Sequence, residues 1–300
     1  MTENKKQQNV NTQATSSKVE SPSRIFARRF FRNKLAIVAL VLLIIMALGA
    51  IFAPFLTPHM RDKADFANSN KAPDSVNLVG TDSMGRDMLT RLLWGGRISL
   101  TVGIFATFLR VLFGVVLGGI AGFYGGRIDG IIMRIADIFS SIPFLPMALT
   151  LSAALGPSIY NVMLVLAVLG WPGIARIVRA EILSLREREF MEAATALGIS
   201  DYKKISSHLI PNTMASIIVS ATTGVAGAIL MESALSFLGL GVSVPVPSWG
   251  NMITEAQNQT VLEKRWWQWV PPGLLIFIAV ISFNLLGDGL RDALDPRLKR

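Results

Sequence analysis

Long apolar stretches alternate with short polar ones along the chain, and the first change follows an extended polar tail. Residues 1–23 are rich in Lys, Gln, Asn, Ser and Thr and show no apolar period, which is typical of disorder. A basic run follows at 24–34, and residues 35–56 carry no charged side chain. As a helix the uncharged stretch would be about 33 Å long, enough to cross a bilayer. The pattern predicts a disordered basic tail over 1–34 and a first transmembrane helix over 35–56.

Five further apolar segments follow, each near the length that a bilayer demands. They run over 98–123, 131–155, 159–175, 215–240 and 270–286. The segment at 131–155 contains Pro143 and Pro146, which predicts a kink or a break there. The predicted fold is therefore an all-α polytopic membrane protein with about six transmembrane helices.

The polar segment 57–97 separates the first two spans. Ser83 can cap a short helix ending near Gly95, in which Asp87 and Arg91 lie four residues apart on the face opposite the leucines. Such a helix would lie in the membrane interface, and an ordinary amphipathic surface helix is the equal alternative.

Composition and charge then limit the class of protein. The chain is 51% hydrophobic and 16% charged, with a mean hydropathy of +0.49, which excludes an ordinary soluble domain. No cysteine and only two histidines exclude a disulfide scaffold and a zinc module. The net charge of +9 would suit a nucleic-acid partner. However, six spans place 20 Lys and Arg on the side of both termini and eight on the other, so the positive-inside rule predicts cytoplasmic ends and removes the case for nucleic acid.

The predicted cytoplasmic loop at 181–212 indicates two short helices joined at a corner. Phe190, Ala193, Ala194 and Leu197 follow the i, i+3, i+4, i+7 spacing of an apolar helix face. The pattern predicts that the first helix is amphipathic.

The corner and the second helix have their own signals. Gly198 can take the left-handed conformation that ends a helix. Ser200 can cap the second helix, Asp201 suits its first turn, and Pro211 is predicted to end it. The loop would form a compact elbow that projects from the membrane.

This elbow resembles the EAA loop of ATP-binding-cassette importer permeases, whose usual form is E-A-A-x3-G-x9-I-x-L-P. The matching residues are Glu192-Ala193-Ala194, Gly198 and His208-Leu209-Ile210-Pro211. His208 and Ile210 depart from the general pattern, in the way associated with the peptide and nickel permease branch. Glu-Ala-Ala alone would be ordinary helix-forming sequence, and the spacing to Gly198 and Pro211 makes the match specific.

Other stretches are similar to landmarks of the same branch. They are Gly80-Thr81-Asp82-Ser83-Met84-Gly85-Arg86-Asp87, Gly96-Arg97-Ile98-Ser99-Leu100, Leu235-Ser236-Phe237-Leu238-Gly239-Leu240-Gly241, Pro247-Ser248-Trp249-Gly250, Asn284-Leu285-Leu286-Gly287-Asp288-Gly289 and Leu294-Asp295-Pro296-Arg297. The resemblance covers nearly everything after Arg24 and indicates the C-type subunit of a dipeptide or oligopeptide importer.

The resemblance implies a type I importer permease fold in a bacterial cell membrane. It implies a five-helix core over 98–290 that includes the EAA loop, and a cytoplasmic tail over 291–300. Its expected partners are a second homologous permease subunit, two cytoplasmic ATPase subunits, an extracytoplasmic substrate-binding protein and membrane lipid. The chain would form half of a pathway for peptides, while nickel or another small solute is the alternative cargo.

The resemblance also assigns roles in ATPase coupling. Glu192 would make a polar contact with the ATPase, Ala193 and Ala194 would permit close approach, Gly198 would set the elbow, and Pro211 completes the motif. No Lys in the chain follows a Gly, so the phosphate-binding pattern G-x4-G-K-[ST] is absent. The chain is therefore predicted not to be an enzyme and to hold no cofactor, with ATP and Mg in the partner ATPases.

Three charges in apolar stretches are candidates for the substrate pathway. They are Arg110, Glu232 and Asp137, because a charge within a span is costly unless it faces a cavity or a partner. The alternatives are that Arg110 snorkels to the interface and that Asp137 pairs with Arg134. A relay of such charges would suit an ion-driven carrier, but that class gives no reason for the elbow.

The cluster Trp266, Trp267 and Trp269 falls at the predicted outer end of the last span. An interfacial aromatic belt is the favoured interpretation, and a contact surface for an external binding protein is the alternative.

Overall fold

The structure is a computed structural model that describes residues 22–294, and the regular secondary structure there is helical apart from one isolated antiparallel bridge between Thr81 and Asp87. In chain order its elements are α1 (Pro22–Arg32), α2 (Lys34–Ile51), α3 (Ala53–Leu56), a 3-10 turn (Phe66–Asn68), α4 (Met88–Tyr124), α5 (Gly126–Ser141), α6 (Phe144–Leu155), α7 (Ile159–Leu185), α8 (Glu189–Ala196), α9 (Asp201–Lys203), a π-helical segment (Lys204–Leu209), α10 (Ile210–Phe237), α11 (Trp249–Ile253), a second 3-10 turn (Thr254–Gln257), α12 (Gln259–Lys264) and α13 (Trp266–Leu294).

Five helical stretches of the described chain are long and apolar enough to cross a membrane. They are α2, α4, α7, the continuous stretch Asp201–Phe237 that ends with α10, and α13. The pair α5 and α6 makes a sixth when it is counted as one bent span. The all-α polytopic architecture with about six spans is thereby confirmed.

The bent span breaks at Pro143, the first of the two prolines within it. Helices α5 and α6 meet at an angle of 90°, with Ile142 in an extended conformation directly before Pro143. A proline ring disfavours the helical conformation of the residue before it, which explains the break. The predicted kink is confirmed.

The separate interfacial helix predicted within 57–97 is wrong. Helix α4 begins at Met88 and runs through Gly95 without interruption to Tyr124. Its cap is Asp87, whose carboxylate accepts the Thr90 N–H at 2.8 Å, and not Ser83. Gly95 and Gly96 do not stop the helix, because the Trp249 ring packs on the space that their missing side chains leave.

Helices α4 and α7 share the most extensive helix–helix contact among the described residues. A Cβ on Gly114 would lie 2.5 Å from the Ile174 Cβ, and one on Gly118 would lie 2.5 Å from the Ala175 carbonyl oxygen. Small residues at such spacing let helix backbones approach in a membrane. At these two glycines, α4 and α7 therefore pack with their backbones close together.

We expect Gly118→Ala to lower the melting temperature of the purified permease complex by several degrees. The added methyl group meets the backbone of α7, which cannot move aside as a flexible side chain could. Overpacking of this kind costs about 1–3 kcal/mol. Gly130→Ala on exposed α5 is the matched control, because no atom of the described residues beyond its chain neighbours and its own helix backbone lies within 4 Å of the added Cβ. Equal melting temperatures for the two variants would contradict this account of the helix pair.

The predicted disorder of 1–34 is wrong over α1. This segment is an amphipathic helix, because Phe26 and Phe30 fall four residues apart on one face and pack with Ala36 and Ala293. The remainder of that predicted tail, 1–21, lies outside the described residues. The predicted tail at 291–300 begins inside α13, and 295–300 also lies outside the described residues.

Candidate functional site

The elbow corner at Gly198 has the geometry that the sequence predicts. Gly198 has φ +69°, and its N–H donates to the Thr195 carbonyl at 3.0 Å. The Ile199 N–H donates to the Ala194 carbonyl at 3.1 Å. These two bonds satisfy carbonyls that the end of α8 would otherwise leave free, in the arrangement known as a Schellman motif. The glycine stop is confirmed.

The face on which α8 packs differs from the apolar face that the spacing indicates. Met191 and Ala194 are buried, and Met191 packs with Ile182 of α7 and Leu209 of the π-helical segment. Leu197 is 79% exposed. Of the four residues on the apolar face that the spacing indicates, only Ala194 packs against the protein, because the helix has apolar side chains on two faces and only one of them meets the spans.

The second half of the elbow does not end at Pro211. Helix α9, the π-helical segment and α10 follow one another without a loop, so Asp201–Phe237 is one continuous helical stretch. The Ile210 N–H bonds to the Ile205 carbonyl, five residues back. Pro211 then falls in the first turn of α10. Pro211 thus falls where the helix changes from π to α register, directly after the π-helical segment.

The predicted cap of this helix is also only partly right. Ser200 occupies the N-cap position with an extended backbone, but its side chain makes no capping hydrogen bond. Asp201 lies in the first turn as predicted and bonds the Lys204 Nζ at 3.3 Å. The second half of the elbow is thus joined to the span α10 through helix alone.

The outward surface of the elbow is exposed and mixed in character. Glu192 and Ala193 are exposed on α8, and Leu197 and Tyr202 stand on either side of the Gly198 corner, with Tyr202 81% exposed. A cleft of about 660 Å³ opens beside them, lined by Phe123, Arg186, Glu187, Met191, Glu192, Thr195, Ala196 and Lys204. Exposed apolar side chains beside charged ones are typical of a protein contact surface.

Asp137 pairs with a different arginine from the predicted one. Its carboxylate accepts from Arg176 Nη2 at 2.9 Å, and the same nitrogen donates to the Ser140 hydroxyl at 3.0 Å. Arg134 was predicted because it lies one turn away on α5, but the partner lies across on α7. A second link between these helices joins Arg179 to both carboxylate oxygens of Asp129. Asp137 therefore ties α5 to α7.

Arg110 points into the protein between two other spans. A Cβ on Gly170 of α7 or on Gly224 of α10 would overlap its side chain. Its Nη2 donates to the Ser220 carbonyl at 3.4 Å. The snorkelling alternative does not describe this side chain, because it inserts between helices.

Glu232 is completely buried in a network of hydroxyl groups. Its two carboxylate oxygens accept from Ser99 at 3.0 Å and from Ser236 at 2.7 Å. The Ser99 hydroxyl accepts the backbone N–H of Trp249 at 3.1 Å, and the Ser236 hydroxyl accepts the backbone N–H of Val242 at 3.2 Å. The carboxylate thus holds α4, α10 and α11 together. This geometry supports a structural role and gives no support to the predicted pathway role.

The polar loop before α4 is organised by a buried ion cluster. Asp82 bonds the Arg86 Nε at 2.7 Å and lies 3.4 Å from the Arg91 Nε, with all three side chains buried. Arg91 therefore pairs with Asp82 and not, as its spacing suggested, with Asp87.

The tryptophan cluster contributes to the same loop. The Thr81 carbonyl accepts from Trp267 Nε1 at 3.2 Å and from Gln268 Nε2 at 2.9 Å. The predicted aromatic belt is wrong for Trp267, which is buried, while Trp266 is exposed. The loop is thereby fastened to the start of α13.

Several residues of the site carry no strong signal in the sequence. Gly170 and Gly224 make room for Arg110, and Thr107 lies one turn before it on α4. Glycines within apolar segments are too common to single these out. The exposure of Tyr202 follows from how the elbow docks, which no local pattern shows.

The structure is thus a polytopic helical bundle with an elbow whose second half continues into a span. Residues 114–300 match the family described as binding-protein-dependent transport system inner membrane component, and residues 21–73 match the N-terminal TM domain of oligopeptide transport permease C. This chain belongs to the family of binding-protein-dependent transport system inner membrane components. It is a multi-pass protein of the bacterial inner membrane.

Individual relatives carry the names of peptide transport permeases. The dipeptide transport system permease protein DppC of Bacillus subtilis is 42% identical over 91% of this chain and 85% of its own length. The oligopeptide transport system permease protein OppC of the same organism is 40% identical, over 91% and 88%. A crystal structure of an amino acid ABC transporter with histidines shares the fold, with a TM-score of 0.50 and 16% identity, over 67% of this chain and 92% of that one.

Proposed function

We propose that this chain is a permease subunit that forms half of a peptide import pathway and couples it to partner ATPases. The observation that carries the proposal is the exposed elbow, whose second half runs into the span α10 through uninterrupted helix. The names of the two Bacillus subtilis relatives support peptides over nickel as the cargo. An ion-driven carrier would have no use for such an elbow.

The elbow would work as a two-state lever. When two ATPase subunits close on ATP and Mg, they would carry the docked elbow with them and tilt α10 relative to α4 and α7. Such coupling requires an element whose contacts differ between two states. Leu197 and Tyr202 are the apolar contacts available at the corner, and Glu192 and Ala193 provide a polar contact and a flat surface beside them.

The remaining partners follow from the same architecture. A second homologous permease subunit would supply the other half of the pathway, and an extracytoplasmic substrate-binding protein would deliver the peptide to the face that carries the Asp82 cluster. Co-purification with the ATPase subunits, and loss of uptake when they are disabled, tests the class directly. Uptake by this chain alone would contradict it.

We expect Ala193→Cys to crosslink to a neighbouring cysteine on the ATPase, whereas Ala194→Cys does not. The two alanines are adjacent, but Ala193 is exposed while Ala194 is packed beneath α8. The chain has no cysteine of its own, so each variant carries a single thiol. The measurement is the shift of the crosslinked pair on a denaturing gel after oxidation of the assembled complex.

This pair of variants also separates docking from random contact. Crosslinking at both positions would indicate that α8 leaves its packed position, which contradicts the rigid lever. Crosslinking at neither, in a complex that still imports peptide, would remove the elbow from the ATPase interface.

A further inference from the structure

A cleft between α4, α7 and α10 contains a guanidinium that the protein uses only in part. The one hydrogen bond of Arg110 within the described chain is the long contact to the Ser220 carbonyl, and its buried Nε has no partner there. Within residues 22–294 Arg110 also forms no ion pair. The hydroxyl of Thr107, only 3% exposed, is likewise without a partner in that range.

The surrounding helices hold this guanidinium in place. Gly170 and Gly224 leave room for the guanidinium, since a Cβ on either glycine would overlap the Arg110 side chain. Arg110 also lies about 21 Å along the helix axis from Tyr124, at 1.5 Å per residue. An arginine that serves a lipid headgroup is expected near the end of its helix, so this position favours a partner inside the protein.

The space around Arg110 is large enough for part of a small peptide. Arg110 lines a cavity of about 200 Å³ with Thr107, Phe144 and Met231, and a second one of about 450 Å³ that Arg176 also lines. The charge of Arg176 is already balanced by Asp137. Arg110 is therefore the cation in this cleft that lacks an anion among the described residues.

We propose that Arg110 and Thr107 form a site for the terminal carboxylate of a peptide in transit. The guanidinium offers donors that match a carboxylate, the hydroxyl adds another, and the apolar walls can accept a peptide side chain. Each zwitterionic peptide brings the anion that this buried cation lacks. This inference rests on the proposed function and names the part of the substrate that the site binds.

The test compares a dipeptide with its C-terminal amide in the complete importer, reconstituted in proteoliposomes with its binding protein. Import is measured for the unaltered complex, for Arg110→Met and for Arg127→Met, an exposed arginine at the start of α5 that serves as the matched control. Any preference of the binding protein is the same in all three complexes and cancels in the ratio of acid to amide import.

We expect Arg110→Met to reduce import of the acid by about tenfold to a hundredfold, as loss of a charge-assisted hydrogen bond would, and to leave import of the amide unchanged. Arg127→Met should change neither. An equal loss for acid and amide would make Arg110 a structural residue, and unchanged acid import would remove the site. If the unaltered complex imported neither peptide, the proposed function itself would fail and this inference with it.

A second measurement does not depend on how well the Arg110 variant folds. Thr107→Cys places a single thiol beside Arg110 in an otherwise cysteine-free chain. We expect the peptide acid to slow its modification by a methanethiosulfonate reagent in the assembled complex, and the amide to have no effect. Equal protection by both peptides, or by neither, would overturn the proposal.

Discussion

Asp82→Ala is expected to produce the largest loss of stability of any single substitution considered for this protein. The carboxylate of Asp82 lies between the buried guanidinium groups of Arg86 and Arg91, and it is their only carboxylate partner within 4 Å in the described chain. Its removal leaves two like charges buried side by side. Breaking a buried pair in this way costs about 3–5 kcal/mol. The measurement is the melting temperature of the purified complex.

Asp74→Ala, in the same loop, is the matched control. Hydrogen bonds from the Asn77 backbone and the Lys71 side chain hold the pKa of Asp74 at about 2, but its ion pair with Lys71 is exposed to solvent. Exposed pairs contribute little to stability. Adding Arg91→Met to Asp82→Ala should restore part of the loss, because one uncompensated charge is removed. Equal shifts for Asp82→Ala and Asp74→Ala would show that the cluster does not hold the loop.

The features that the sequence predicted correctly are those set by a few adjacent residues. A run of uncharged residues determines a span, the proline at 143 breaks one, and the glycine at 198 ends a helix in the left-handed conformation. Each depends on backbone geometry or on length, which a single segment fixes for itself.

The charge partners could not be predicted in the same way. Asp137 has Arg134 one turn away on its own helix, yet its partner is Arg176 on α7. Arg91 lies four residues from Asp87, but pairs with Asp82 because Asp87 caps the helix instead. Such a choice depends on how the helices are arranged, and local spacing carries no information about that.

The packed face of α8 could not be identified from the sequence for a different reason. A helix that packs on its own protein and also binds a partner needs apolar side chains on two faces. Phe190 and Leu197 gave the stronger pattern, but Met191 and Ala194 are the ones that pack inward. The exposed face that remains is the one that we expect to meet the ATPase.

Gly198→Val is expected to lower peptide import at least tenfold while the complex still assembles. Gly198 has φ +69°, and a β-branched residue in this left-handed conformation costs about 1–2 kcal/mol or more. Apart from its chain neighbours, no atom of the described residues lies within 4 Å of an added Cβ, so the substitution acts through the backbone and not through a clash. Relief of the strain would open the two hydrogen bonds at the corner and turn α8 away from the direction of α10. Import and ATP hydrolysis are both measured, and hydrolysis should lose its dependence on the loaded binding protein.

Gly198→Asn shows whether the loss of import comes from strain in the left-handed backbone or from the presence of any side chain at this position. Asparagine tolerates the left-handed conformation better than any β-branched residue, so this variant should keep most of the import activity. The open space around position 198 accepts either side chain, which makes the two substitutions comparable. Similar losses for valine and asparagine would place the effect in contact with the ATPase and not in the angle of the elbow. Full activity of the valine variant would show that the angle between α8 and α10 is not what transmits the movement of the ATPases to the spans.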